Sequence, residues 1–150
     1  MDYKIYEDKP HTDIWMKGIL LLPSAILLVT AITLWQESLQ ATLYLIAGAL
    51  LIGLVFIFII PIKYCIFNTK IRIKFRGPFA FNIPFETVTD VREPRWFTAG
   101  INLPTNMSQS STLEIARKGR MPVNITPADK QAFVSNFDKA FNDWKQGKDI

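Results

Sequence analysis

Two long stretches of the chain carry no charged side chain, residues 18–36 and residues 38–62. Ile19-Leu20-Leu21-Leu22 and Ala25-Ile26-Leu27-Leu28-Val29 make the first dense enough to partition into lipid, and residues 43–60 of the second are almost wholly apolar. At 1.5 Å of rise per residue each stretch reaches about 27 to 30 Å as a helix, the thickness of a bilayer's hydrocarbon core. The core helix of a soluble protein is equally apolar, but covering two such helices on all sides takes far more chain than the remainder supplies. A cleavable signal peptide is the other reading of the first stretch, because Lys17 precedes it. Its apolar run is too long, however, and no small-x-small cleavage site follows before the second stretch. Two spans, at about 18–36 and 41–62, are therefore expected as a tight antiparallel transmembrane hairpin with Glu37 at its tip.

The flanks of the two stretches sharpen the picture. Trp15 and Trp35 bracket the first and Tyr44 and Tyr64 the second, as expected of amphipathic rings anchored at headgroup level. Lys4, Lys9 and Lys17 precede the hairpin, and Lys63, Lys70, Arg72, Lys74 and Arg76 follow it. By the positive-inside rule both termini are expected in the cytoplasm. Pro23 is expected in the first turn or two of its span, where proline costs little, and Pro61 closes the second. Ala49 and Gly53 have the small-xxx-small spacing that lets helices approach closely, within the hairpin or against another protein, although alanine and glycine facing lipid with no special role fit the spacing equally well.

Beyond the hairpin the period changes. Residues 63–150 suffice for one small core, with residues 1–17 left as an N-terminal cytoplasmic tail. Short strands are expected over 64–67, 70–76, 79–83, 88–93, 96–103, 113–117 and 123–126, separated by turn residues such as Asn68-Thr69, Gly77-Pro78 and Lys118-Gly119-Arg120. The clearest alternation is at 70–76, where Ile71, Ile73 and Phe75 share one face and four cations the other; Phe79, Phe81 and Ile83 repeat it after the turn, so a hairpin in a one-sided antiparallel sheet is expected. A helix follows. Thr126 suits its N-cap, Pro127 its first turn and Asp129 the third position of a capping box. Phe133, Phe137, Phe141 and Trp144 then form one stripe, expected to pack on the sheet rather than to serve as a free amphipathic face.

Strands followed by one capped C-terminal helix resemble the pleckstrin-homology fold, and three phrases resemble its bacterial relatives that follow transmembrane hairpins: KIRIKFRG at 70–77, IPFETVTDV at 83–91 and VNITPADKQAFVSNF at 123–137. The resemblance covers about residues 63–144. It implies an α+β chain with a seven-stranded antiparallel sheet or barrel and a capping α-helix, in a bacterial inner membrane, and a binding platform for lipids, peptides or proteins. Eukaryotic relatives bind phosphoinositides with basic residues spread over the first hairpin and its loop. Here the cations lie on one strand and Asn68-Thr69 is a short turn, which argues against inositol-phosphate recognition.

Composition mainly excludes. The single histidine, His11, and the single cysteine, Cys65, leave no Ser-His-Asp or Cys-His arrangement in residues 63–150 and no internal disulfide. Cys65 is expected either as a small buried side chain or as a juxtamembrane acylation site. Glu86, Asp90 and Glu93 lack a second acidic cluster that would make a metal cage or an acid/base pair, and no phosphate-binding glycine pattern occurs. No catalytic, cofactor or metal site is expected. Trp96, Phe97 and the polar loop at 104–112 are expected as core or as an exposed edge for a peptide. Residues 63–150 carry fourteen Lys and Arg against eight Asp and Glu. Because the basic strand leaves directly from the membrane, anionic lipid is the nearer polyanion and nucleic acid is not expected. The candidate contacts for that surface are Lys63, Lys70, Arg72, Lys74 and Arg76, the alternative being that the alternating cations form only a solvated strand face.

The functional expectation is a non-enzymatic module anchored by two spans, engaging a protein, peptide or anionic lipid at the cytoplasmic membrane face, with a protein partner or homo-oligomer expected. The alternative from a different class is a small structural subunit or assembly factor of a larger membrane complex.

Overall fold

The computed structural model describes residues 2–94, 100–103 and 111–148. Strand β1 (Lys4–Asp8) leads into helix α1 (Ile14–Thr33), and the chain turns and returns along α2 (Leu39–Ile59). Ser38 caps α2, its side chain accepting from the Ala41 amide at 3.3 Å. The two helices pack through small residues. Ser24, Ala31, Thr42 and Ala49 are buried, and a Cβ on Gly53 would lie 3.5 Å from Ser24 Oγ. The large side chains face outward, and only 11% of each apolar window is buried. A helix in the core of this chain would instead be mostly buried. Both helices are long and apolar enough to cross a membrane. Thr30 and Thr33 hydroxyls donate to Ile26 O and Thr30 O on their own helix, so neither needs water. Because α1 starts at Ile14, Pro23 is its tenth residue and lies in the third turn, deeper than the sequence suggests.

After α2 follow β2 (Pro61–Phe67), β3 (Lys70–Phe75), β4 (Ala80–Pro84), a 3₁₀ turn at Phe85–Thr87, β5 (Val88–Arg92), β6 (Ile101–Asn102), β7 (Leu113–Arg117), β8 (Val123–Ile125) and α3 (Lys130–Lys148). The described residues thus form eight strands, not seven. They make two open four-stranded sheets, β1-β2-β3-β4 and β5-β7-β8-β6, instead of a closed barrel. The 3₁₀ turn carries the chain from β4 in one sheet to β5 in the other. The second sheet is not wholly antiparallel, since β6 runs parallel to β8. Of the strand expected at 96–103, residues 101–102 form β6; Trp96, Phe97 and residues 104–110 lie outside the described residues.

The additional strand is β1. It pairs antiparallel with β2, setting Glu7 opposite Cys65 and Asp8 opposite Tyr64, so the segment before the hairpin and the segment after it share one sheet. The expected β3–β4 hairpin is present, with Ile71 opposite Ile83 and Ile73 opposite Phe81. Phe79 is not part of it. The strand begins one residue later, at Ala80, and Phe79 points out, 59% exposed.

Helix α3 closes the core. Phe133, Phe137 and Phe141 are buried against Ile66, Ile71, Ile73, Ile115 and Ile125, with Trp144 packed beside them. Phe85, fully buried in the 3₁₀ turn, sits edge-on to Phe137, Phe141 and Trp144 at 5.7, 5.5 and 5.9 Å between ring centres. The cap is Asp129, whose Oδ1 accepts from the Ala132 amide at 2.9 Å, rather than Thr126. Residues 126–128 cannot start the helix because they hold the N-terminal segment: Pro127 bridges Pro10, His11 N donates to Thr126 O, and Ala128 N donates to Lys9 O.

Candidate membrane-facing site at the root of the hairpin

No linker separates α2 from the sheet. Helix α2 ends at Ile59 and β2 starts at Pro61, whose φ restriction suits an extended residue after a helix. The β3–β4 turn then folds back onto the helix end. Phe79 meets Phe58 edge-on, with ring centres 6.0 Å apart. Gly77 makes this possible twice over: its φ of +83° is a left-handed conformation, and a Cβ there would lie 3.1 Å from Phe58 Cε1. Phe58, Phe75 and Phe79 form an apolar collar at the level where the helix leaves its apolar stretch.

The cations of β3 and the turn after it lie at different distances from this collar. Pro61 pairs with Phe75 and Ile66 with Ile71, so β3 runs toward the hairpin and Lys70 stands at its far end. At about 3.3 Å per residue, Lys70 is roughly 20 Å farther along the strand than Arg76. The far cations are engaged within the protein. Lys70 pairs with Asp2, and Arg72 donates to Asn82 Oδ1 at 2.8 Å while lying over the Phe67 ring. Lys63 shares Glu7 with Lys4, and these two ammonium groups hold the Glu7 carboxyl down at about 2. Near the hairpin, Lys63 stands opposite Lys74 and is held by Glu7, whereas Lys74 and Arg76 are exposed and make no ion pair among the described residues.

On the helix side, Lys17 lies in the first turn of α1 and is exposed. Lys17 and Arg76 line one cavity of about 240 Å³ together with Leu20, Leu21, Phe56 and Ile57. Sequence reading treats Lys17 as a charge flanking the first span and does not join it to Arg76, because 58 residues lie between the two. It also missed Phe58 and Phe79; the signal available for Phe79 was its position directly after the Gly77-Pro78 turn.

The aromatic anchors divide. Trp15 lies at the sheet end of α1, whereas Trp35 and Tyr44 lie at the tip, and all three are exposed at 78%, 59% and 70%. Tyr64 is not at the surface. Its alternation on β2 turns the ring into the core, edge-on to Phe133 at 6.5 Å, and its hydroxyl accepts from the Thr126 amide at 3.4 Å. Ala49 and Gly53 both lie on the seam between α1 and α2.

Cys65 is buried, and desolvation followed by the nearby Glu7 carboxylate raises its thiol above the ordinary range. Glu114 is buried on β7, where Arg92 Nε and Nη2 donate to its Oε1 at 3.0 and 2.8 Å. Among the described residues, no three His, Cys, Asp or Glu side chains are grouped to hold a metal ion. Comparison with family models, curated proteins and solved structures finds no match to this chain.

Proposed function

We propose that the chain is a non-enzymatic binding module of a bacterial cytoplasmic membrane: a hairpin that crosses twice, holding a divergent pleckstrin-homology-like unit against the cytoplasmic face, where it engages a protein, peptide or anionic lipid. One observation carries the reading. Strands β1 and β2, on either side of the hairpin, pair in one sheet, so the two exposed apolar helices leave the folded unit together from one end. Lys4, Lys9 and Lys17 stand just before or at the start of the hairpin and Lys63, Lys70, Arg72, Lys74 and Arg76 just after it, whereas the tip carries only Glu37. Positive charge concentrated there supports a cytoplasmic folded unit. The phrases at 70–77, 83–91 and 123–137, with the helix closing over the sheets, support the pleckstrin-homology likeness.

Extraction of the tagged full chain in mild detergent, followed by size measurement and mass spectrometry, tests this. A monomer or small homo-oligomer with exchangeable partners agrees with a binding module. A stoichiometric complex that survives purification replaces it with a structural subunit or assembly factor. Extraction from membranes by carbonate alone refutes membrane integration.

A further inference from the structure

The cavity at the root of the hairpin has two unlike halves. Leu20, Leu21, Phe56 and Ile57 supply an apolar lining, and they come from the ends of α1 and α2 that adjoin the folded unit. Lys17 stands one helical turn nearer the folded unit than Leu20 and Leu21, and Arg76 leaves β3 beside the end of α2. Both cations therefore stand at the sheet end of the cavity.

Neither has a carboxylate partner among the described residues, as is also true of Lys74, but these two alone of the unpaired cations line this cavity. Lys4 and Lys63 share Glu7, Lys70 has Asp2, Arg92 has Glu114 and Lys130 has Glu93, whereas Lys17 and Arg76 make no ion pair among the described residues. Two cations converging on one cavity repel each other, and an anion placed between them relieves the repulsion. A guanidinium presents a fork that fits two phosphate oxygens, and an ammonium supplies a point charge beside it. Below them the lining offers nothing to a water-soluble anion but matches a hydrocarbon chain.

From this charge and apolar complementarity we infer that the cavity binds an anionic phospholipid. Its phosphate lies between Lys17 and Arg76, and the upper part of one acyl chain lies against Leu20, Leu21, Phe56 and Ile57. The inference rests on the proposal that the hairpin crosses a membrane, and it names the lipid class and the residues that select it. The candidate contact is thereby concentrated at the hairpin end of β3, while Lys70 and Arg72 are committed to Asp2, Asn82 and Phe67.

The test uses the full chain in nanodiscs of phosphatidylcholine with a minor fraction of phosphatidylglycerol, extracted mildly and weighed intact with its retained lipid. Wild-type protein retains phosphatidylglycerol in excess over its share in the disc. The Lys17→Gln/Arg76→Gln variant loses that excess. At about 1 kcal/mol for each cation held at an anionic surface, the expected loss is about thirtyfold at low salt. Lys118→Gln/Arg120→Gln removes the same charge from the β7–β8 turn, where the Lys118 amide bonds Thr87 O, away from the cavity, and keeps the preference. An unselective wild type, a selective double variant, or equal loss in the control overturns the site. Carbonate extraction of the membranes from which each variant is purified separates the two claims. A chain that stays integrated without selectivity refutes this site alone, and a chain that is extracted refutes the membrane proposal on which it rests.

Discussion

Phe85 is the position where a single substitution should most weaken the folded unit. It is fully buried, it sits at the crossing from one sheet to the other, and its ring touches three aromatic rings of α3. Phe85→Ala removes the ring from all three at once. Deleting a buried aromatic side chain costs about 3 to 5 kcal/mol, and the upper half of that range applies where the surroundings cannot collapse into the space. Collapse is restricted here because Phe137 stacks on Phe141 at 5.2 Å and Phe141 on Trp144 at 5.6 Å, so the three rings move only as a block. Hydrogen exchange of the full chain in mild detergent reads the effect directly. Amides of β2 and β3 should lose about 3 to 3.7 powers of ten of protection, while those of α1 and α2 should stay unchanged. Phe85→Leu, which keeps part of the volume, should lose distinctly less. A loss corresponding to under about 1.5 kcal/mol in Phe85→Ala would refute the account of α3 as the lid of this core.

Three further expectations follow from the same contacts. Removing residues 2–8 deletes β1 and bares the edge of β2, so a chain starting at Lys9 should lose exchange protection in β2, and a β2 protected as before would refute the pairing. Glu7 has its pKa lowered from 4.5 to about 2 by Lys4 and Lys63, so its contribution to stability is complete above about 4.5 and is lost as pH falls toward 2; Glu7→Gln should flatten the acid limb of the unfolding curve in that window, and an unchanged limb would show the pairing to be inconsequential. Cys65 is buried with a raised pKa, so maleimide at neutral pH should modify it only on unfolding, and rapid labelling of the native chain would contradict its place in β2.

How far the sequence reveals this fold depends on how local each determinant is. The hairpin helices are legible because an uninterrupted apolar run needs no knowledge of neighbours. The β3–β4 hairpin is legible in the alternation of Ile71 and Ile73, and the packing of α3 in its aromatic stripe. Strand β1 is not, because Lys4-Ile5-Tyr6-Glu7-Asp8 has little apolar signal and its partner β2 lies beyond both helices. Tyr64 was misplaced for a related reason. An aromatic residue just after an apolar run fits a headgroup anchor, and only the pairing of Tyr64 opposite the buried Ile73, beyond the irregularity at 61–63, turns the ring into the core. Thr126 has good capping chemistry, yet the Pro10–Pro127 bridge takes its neighbour first and moves the cap to Asp129. The convergence of Lys17 and Arg76 is tertiary and has no local signature.

The central claim is that both flanks of the hairpin meet on one side of a membrane and its tip reaches the other. The direct measurement uses single cysteines at Lys9, Glu86 and Glu37 in a Cys65→Ser background, labelled by a membrane-impermeant maleimide in sealed vesicles of either orientation. The account predicts that Lys9→Cys and Glu86→Cys react only in inside-out vesicles and Glu37→Cys only in right-side-out vesicles. Labelling of all three from the same side, or of Lys9→Cys and Glu86→Cys from opposite sides, would contradict it.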